Sequence, residues 1–178
     1  MGGDWLSEPV RTGRTVLRMP RKADEVGVRE LLTKAPVRAC LGGVRSSGEI
    51  DDAVSAVLEA PTGLFSVEVG HAFAGLITLE RRDRDRPDDG SLPDDVLELS
   101  YELLPRFWRQ GFAEEAASAA LGWLSLTLPD ELVVVCTQAA NERSLRLAGR
   151  LGFRHVADFD EFGAEQWLGV RRAHRATG

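Results

Sequence analysis

An alternating segment at Val96–Leu104, VLELSYELL, leads within a few residues into an alanine-rich segment, and this junction constrains the fold most. Its two faces are Leu97, Leu99, Tyr101 and Leu103 on one side, and Val96, Glu98, Ser100 and Glu102 on the other. A period of two predicts a β-strand. The alanine-rich segment, from about Gly111 to Leu126, predicts a helix. The chain must therefore join this strand to this helix through a short loop that contains a glycine.

The predicted helix begins without an N-cap residue. The turn at residues 108–113, WRQGFA, contains no Ser, Thr, Asp or Asn that could accept a hydrogen bond from the first helical amides. Those amides and the positive end of the helix dipole are then available to an anion. Gly111 permits a positive φ, Ala113 leaves room for a ligand, and Arg106 and Arg109 add positive charge. The same residues also fit an ordinary strand-to-helix turn, so both interpretations stay open.

The other segments predict a mixed α/β sheet. Thr15–Pro20 is a first strand. Residues 21–35 are a helix with Val26, Val28, Leu31 and Leu32 on its apolar face, and residues 46–60 are a helix that begins with a capping-box pattern of Ser46 and Glu49. Residues 63–80 form two strands joined at Gly70-His71. A charged, solvated loop at 81–95 precedes the strand and helix above. A strand at 131–138, a helix at 141–152 and strands at 153–160 and 164–172 follow. We expect about seven strands and about four helices in one domain at 15–172, with a loose leader at 1–14 and a tail at 173–178.

Charge and composition argue against several classes of function. The formal net charge is -6, so the overall field of the protein would not favour nucleic acid, and no apolar run is long enough to cross a membrane. The first residues, MGGDWLSEPV, lack the features of a signal peptide, and we predict a cytoplasmic protein. Cys40 and Cys136 match no zinc spacing and the three histidines are scattered, so we expect reduced thiols and no metal site.

Two motifs together resemble the GCN5-related N-acetyltransferase (GNAT) superfamily, within it the branch that includes ribosomal-protein N-terminal acetyltransferases. The first motif is LELSYELLPRFWRQGFAEEA, and the second is NERSLRLAGRLGF further along the chain. The acetyl-CoA fingerprint of the superfamily is [Q/R]-x-x-G-x-[G/A], and this chain reads W-x-x-G-x-A across Trp108, Gly111 and Ala113. Tryptophan in the first position is common in that branch. The resemblance covers about Thr15 to Arg172 and implies a GNAT-like, mixed and largely antiparallel sheet.

The resemblance implies acetyl-CoA as the cofactor. In the family, the pyrophosphate of coenzyme A lies on the amides of the glycine loop, here Arg109, Gln110, Gly111, Phe112 and Ala113. The pantetheine arm runs beside the strand before that loop, and its amides pair with backbone around Leu103 and Leu104. The side chain of Asn141 reaches the same arm in such proteins. Asparagine is also among the best N-cap residues, so a purely structural role for Asn141 stays open.

The resemblance also implies two catalytic residues. An ammonium must lose a proton before its nitrogen can attack a thioester, and Glu98 matches a glutamate that acts as the base in several members, often through water. Glu102 on the same strand face is the second candidate, and a solvated face without a catalytic role is the alternative for both. Ser144 would protonate the departing thiolate, a task that many relatives give to a tyrosine. A serine on a solvated helix turn is the alternative there.

We therefore expect direct transfer of an acetyl group from acetyl-CoA to a primary amine, either a protein N-terminus or a small amine, in one ternary complex. A route through an acetylated Cys136 is unattractive, because a thiolate in an apolar strand would be costly. The alternative function is a non-catalytic acyl-CoA-binding module. Neither nucleic acid nor a membrane is expected as a partner. Dimers are common in the branch, so a homodimer is left open.

Overall fold

The computed structural model describes residues 6–39, 46–87, 90, 92–93 and 95–173. Its strands are β1 (Val10–Arg11), β2 (Thr15–Arg18), β3 (Leu64–Val69), β4 (Ala72–Arg81), β5 (Leu97–Leu103), β6 (Leu132–Gln138), β7 (Arg154–Glu161) and β8 (Ala164–Arg172). Its helices are α1 (Glu25–Thr33), α2 (Ala35–Arg38), α3 (Ser47–Leu58), α4 (Phe112–Thr127) and α5 (Glu142–Arg150). Short 3-10 helices lie at Lys22–Asp24 and Pro105–Phe107.

The strands are hydrogen-bonded in the order β1-β2-β3-β4-β5-β6-β8-β7. Strands β5 and β6 are parallel, whereas β1/β2, β2/β3, β3/β4, β6/β8 and β7/β8 are antiparallel. The predicted mixed, largely antiparallel α/β sheet is confirmed. The predicted hairpin is also confirmed, because Gly70 and His71 have φ values of 55° and 67° between paired residues Val69 and Ala72.

The sequence pattern missed β1 and α2. Strand β1 lies in the predicted loose leader, where Val10 and Arg11 pair with Leu17 and Val16. A two-residue strand is too short to show a period, and the four-residue α2 is too short to show an apolar face. The described residues therefore contain eight strands and five α-helices rather than about seven and about four. Residues 1–5 of the leader and 174–178 of the tail, like Cys40 and His174, lie outside the described residues.

The chain divides into two compact units, of which the first contains residues 1–78 and 101–120. Its apolar core is formed by α1, α2, α3 and the residues Leu76 and Leu104. The predicted capping box of α3 is confirmed, since the Ser46 side chain accepts from Glu49 N. The prediction that Val26 lies on the buried face of α1 is wrong, because its residue surface is 80% exposed. Val26 and the buried Val28 are separated by about 200° around a helix.

A buried ion-pair network joins β2, β3 and the start of α1 in this unit. The guanidinium of Arg18 donates to both carboxylate oxygens of Asp24 at 2.7 Å and to Glu68 at 2.9 Å. Ser66 Oγ and Arg21 N also donate to Asp24, at 2.9 and 3.0 Å. Asp24 is only 2% exposed and Arg18 only 8% exposed. The carboxylate of Asp24 is therefore both charged and fully hydrogen-bonded in a buried place.

The second unit contains residues 79–100 and 121–178. Its apolar cluster joins Val96, Val134, Ala157 and Leu168. Helix α5 ends at Arg150, and Gly152 lies past its end as predicted, with a φ of 82°. The bonds from Gly152 N to Gly149 O and from Phe153 N to Ala148 O form the Schellman motif that favours glycine at this position.

Candidate active site

The loop between β5 and α4 has the backbone that the sequence predicts. Gly111 has a φ of 82°, Arg109 has a φ of 60°, and Arg109, Gln110 and Gly111 are exposed. The first hydrogen bond of α4 runs from Glu115 N to Gly111 O at 3.0 Å. The amides of residues 112–114 therefore precede the helical ladder, and Gly111 has no side chain with which to cap them. Exposed amides at a helix start are the groups that bind phosphate in many proteins.

The side chain of Trp108 explains a tryptophan in the first position of the fingerprint. Its indole N–H donates to Leu103 O at 2.6 Å, and its ring packs against the apolar core of the first unit. This bond fastens the loop to the end of β5.

The backbone of Leu103 and Leu104 is already largely hydrogen-bonded within the protein. Besides the bond from Trp108 to Leu103 O, Leu104 N donates to Ala74 O and Phe107 N donates to Leu104 O, both at 2.9 Å. A carbonyl oxygen can accept a second hydrogen bond. Contacts of pantetheine with the two carbonyl oxygens stay a prediction, whereas Leu104 N would first have to release Ala74.

Arg14, which lies between β1 and β2, contacts this loop, and the sequence pattern did not predict that contact. Its Nη1 donates to Gln110 O and its Nε donates to Glu115 Oε2, both at 2.8 Å. Its guanidinium lies 4.9 Å from the ring centroid of Phe112. Glu115 neutralises part of the charge of Arg14, and the Glu30 carboxylate, 2.8 Å from Arg106, does the same for Arg106. Arg14 therefore connects Gln110 of the glycine loop to Glu115 of α4 from a segment that carries no motif.

Asn141 and Ser144 lie at the start of α5, as predicted. Asn141 Oδ1 accepts a hydrogen bond from Ser144 N at 3.3 Å, so the N-cap role of Asn141 is confirmed. Ser144 is half-buried. A contact of either side chain with coenzyme A stays a prediction.

Glu98 is buried, so the alternative that it lies on a solvated strand face is wrong. Glu98 is only 7% exposed. Its Oε2 accepts hydrogen bonds from Arg82 Nη1 at 2.5 Å and from Arg86 Nη1 at 2.7 Å. Arg86 also binds Glu161 through Nε and Nη2, at 3.1 and 2.9 Å. Glu102, the second candidate, is half-buried. The loop at 81–95, predicted to be solvated, thus sends two arginines inward onto Glu98.

The buried charges around Glu98 affect two other titratable groups. Burial, and after it the Glu98 carboxylate, raise the pKa of the Cys136 thiol. The same two causes raise the pKa of Glu80, and Arg86 partly opposes the rise. A raised pKa keeps Cys136 as a thiol, which makes it a poor nucleophile. Glu80 had no motif to mark it in the sequence.

Neither a metal site nor a membrane span is found in the part of the chain that the structure describes. No three His, Cys, Asp or Glu side chains there are placed to hold a metal ion. No described helix is both long and apolar enough to cross a bilayer.

Comparison with known proteins assigns the family. The acetyltransferase (GNAT) domain model matches residues 14–154. An acetyltransferase (GNAT family) from Bacillus anthracis has a similar structure, with a TM-score of 0.78, 18% identity, and coverage of 93% of this chain and 99% of that chain. An acetyl transferase from Salmonella typhimurium that modifies the N-terminal serine of ribosomal protein L7/L12 is also similar, with a TM-score of 0.71, 15% identity, and coverage of 93% of this chain and 99% of that chain. Spermidine N-acetyltransferase from Vibrio cholerae, solved with CoA and spermine, has a TM-score of 0.69 and 15% identity, with coverage of 91% of this chain and 97% of that chain. These identities show a shared fold, and the match over residues 14–154 shows that the chain belongs to the GNAT acetyltransferase family.

Proposed function

We propose that the protein transfers an acetyl group from acetyl-CoA directly to a primary amine. Enzymes of the GNAT family use acetyl-CoA, which supplies an acetyl group activated as a thioester. The observation that carries the proposal is the glycine loop before α4, with Gly111 at a φ of 82°, exposed residues at 109–111, and amides at 112–114 that precede the helical ladder. These residues fit a pyrophosphate, because the backbone is open at Gly111 and the exposed Arg109 adds positive charge.

We assign the cofactor contacts to the residues that the family resemblance marks. The amides of residues 109–113 would bind the pyrophosphate, a task for which the exposure of residues 109–111 and the φ of Gly111 are suited. The carbonyl oxygens of Leu103 and Leu104 and the side chain of Asn141 would bind the pantetheine arm. For Asn141 this role must coexist with its cap on Ser144 N, which occupies one of the two lone pairs of Oδ1.

Glu98 is proposed to draw the proton from the acceptor ammonium, directly or through water. Arg82 and Arg86 fix the position of its carboxylate by two charge-assisted hydrogen bonds. Once the nitrogen has its lone pair, a C–N bond can form while the C–S bond breaks. Ser144 would give a proton to the departing sulfur from the first turn of α5, where the helix dipole also favours negative charge. The raised pKa of Cys136 supports this direct route over an acetylated cysteine.

The acceptor is proposed to be a protein N-terminus or a small amine. Both classes are represented among the proteins with similar structures, which include one that acts on the N-terminal serine of L7/L12 and one that acts on spermidine. A location in the cytoplasm, a homodimer and the lack of a nucleic-acid partner stay predictions.

A second candidate function is a non-catalytic acyl-CoA-binding module. The observation that favours it is the engagement of Glu98 Oε2 by Arg82 and Arg86, since a carboxylate tied to two cations is less available to a substrate. Both candidates predict binding of coenzyme A. Release of coenzyme A thiol from acetyl-CoA in the presence of primary amines tests which of them holds, because only a transferase consumes the thioester.

Gly111→Val is expected to weaken coenzyme A binding at least tenfold, which corresponds to about 1.4 kcal/mol. A β-branched residue is strained at a φ of 82°, and a Cβ there would lie 3.1 Å from Arg14 Nη2. Isothermal titration calorimetry on the folded variant measures the effect. Gly122→Ala, in α4 with open space around the added Cβ, is the matched control and should keep the parent affinity. Unchanged affinity in folded Gly111→Val would show that coenzyme A does not bind at this loop.

A further inference from the structure

The position of Glu98 raises the question of where the proton of the acceptor finally goes. Both arginine hydrogen bonds end on Oε2 of Glu98. A proton that stayed on this oxygen would displace at least one guanidinium and leave a buried cation without its partner. A proton could pass through Oε1 without breaking either bond, but it then needs another group on which to rest.

Glu80 lies opposite Glu98 on the neighbouring strand. Hydrogen bonds from Arg82 N to Val96 O and from Leu104 N to Ala74 O, both 2.9 Å long, fit a single antiparallel register of β4 and β5. That register pairs Glu80 with Glu98, and directly opposite residues have Cβ atoms about 4.5–5.5 Å apart. Arg82 is two residues from Glu80 on the same face of the sheet. Its hydrogen bond to Glu98 fits this register, in which Glu98 is the diagonal neighbour of Arg82. The two carboxylates are therefore cross-strand neighbours.

The charged groups around Glu80 are bound mainly to other side chains. Glu98 faces it from β5, and Arg86 from the loop at 81–95 lies near enough to act on it electrostatically. Arg86 is shared with Glu161 of β7, and Arg82 is held by Glu98. The preceding Arg81 points away and binds Asp95 and Glu131. On the other side of β4, the pairing with β3 ends at Leu64 and Thr78, before Glu80.

Glu80 is the carboxylate of this group that can hold a proton. Burial of its carboxyl group and then the charge of Glu98 raise its pKa. Its carboxylate has no hydrogen bond or ion pair with another residue that the structure describes, so protonation breaks no such contact. The residue as a whole is exposed, which gives a proton a route to solvent. Two neighbouring carboxylates whose environments differ in this way are typical of acid–base chemistry.

We propose that Glu80 is the final acceptor of the proton that Glu98 draws from the acceptor ammonium, an inference that rests on the proposed acetyl transfer. The N–H bond breaks and its electron pair stays on nitrogen. The proton passes Glu98, directly or through water, and forms an O–H bond on Glu80, while Glu98 remains a carboxylate bound to Arg82 and Arg86. Glu80 then releases the proton to solvent after each turnover.

Glu80→Gln is expected to lower kcat at least tenfold and to change the acidic limb of the profile of kcat/KM against pH. A base must be deprotonated to act, so the parent rate rises as pH rises through the raised pKa of Glu80, and the variant lacks this component. The ionisation of the amine is the same in both proteins and cancels in the comparison. Glu80→Asp should restore part of the acidic limb of the profile of kcat/KM against pH. Glu165→Gln, an exposed glutamate on a strand of the same unit, is the control and should keep the parent profile.

Carbon-13 NMR titration of the side-chain carboxyl groups in the protein without cofactor gives a readout independent of turnover. Glu80 is expected to titrate above the ordinary value for glutamate, and Glu98→Gln should lower the pKa of Glu80 because it removes the opposing negative charge. An ordinary pKa for Glu80, or a Glu80→Gln variant with the parent rate and pH profile, overturns the inference while the proposed function stands. If the parent releases no thiol above background with any amine acceptor, the proposed function fails and the inference fails with it.

Discussion

Glu98→Gln is expected to lower kcat for acetyl transfer about a hundredfold or more while coenzyme A affinity stays near that of the parent. Glutamine keeps the size of the side chain but cannot take a proton. It also cannot balance the charge of Arg82, which is 7% exposed and bound to the Glu98 carboxylate. Steady-state kinetics with the best amine acceptor, together with calorimetry for coenzyme A, measure the two quantities.

The control for this variant addresses folding. Removal of one partner of a buried ion pair destabilises a protein, so unfolding of Glu98→Gln must be measured at the temperature of the assay. Glu102→Gln is the matched variant on the same strand and is expected to retain most of the turnover. A folded Glu98→Gln protein with the parent kcat would remove Glu98 from the mechanism and make Glu102 the candidate base.

Asp24→Asn is expected to lower the free energy of unfolding by about 3 kcal/mol near neutral pH, because it breaks a buried ion pair and leaves Arg18 undercompensated. Arg18 makes a two-bond contact with Asp24, and among the residues that the structure describes it keeps only Glu68 as an anionic partner in the variant. Urea unfolding of parent and variant measures the difference. Asp51→Asn is the control, since the Arg29–Asp51 pair is exposed and is expected to contribute at most about 1 kcal/mol.

The pH dependence gives this prediction a second test. Burial alone would raise the pKa of Asp24, but hydrogen bonds from Arg18, Arg21 N and Ser66 hold it below the ordinary value of 3.8. The unfolded chain therefore binds a proton more tightly than the folded one. The stabilisation is complete above the ordinary pKa and is lost as pH falls through the lowered pKa. The gap between parent and Asp24→Asn should narrow below about pH 4, and a gap that stays constant down to pH 2 would contradict this assignment.

The sequence predicts the parts of the fold that depend on neighbouring residues. The alternation of VLELSYELL predicts β5, Gly70-His71 predicts the β3–β4 turn, and Ser46 with Glu49 predicts the start of α3, all of which the structure contains. The positive φ of Gly111 is predicted in the same way, because a glycine before a helix that has no N-cap residue is a local pattern. Each of these signals lies within a few residues of the structure that it specifies.

The parts of the candidate site that the sequence does not predict depend on distant residues. Arg14 binds Glu115, which is 101 positions away, and Arg86 binds Glu161, which is 75 positions away. Glu80 becomes a neighbour of Glu98 only through the register of β4 against β5, and a one-residue shift would place their side chains on opposite faces. A charged loop such as that at 81–95 gives no sign of which arginines turn inward.

Acetyl transfer to a panel of primary amines tests the central claim most directly. The panel should contain N-terminal peptides, polyamines and simple amino compounds, with coenzyme A thiol release and the mass of the acetylated product measured together. We predict thiol release above the background without amine for at least one acceptor, with one N-acetylated product formed per thiol. Binding of coenzyme A without thiol release for any amine would contradict the transferase and leave the acyl-CoA-binding module as the function.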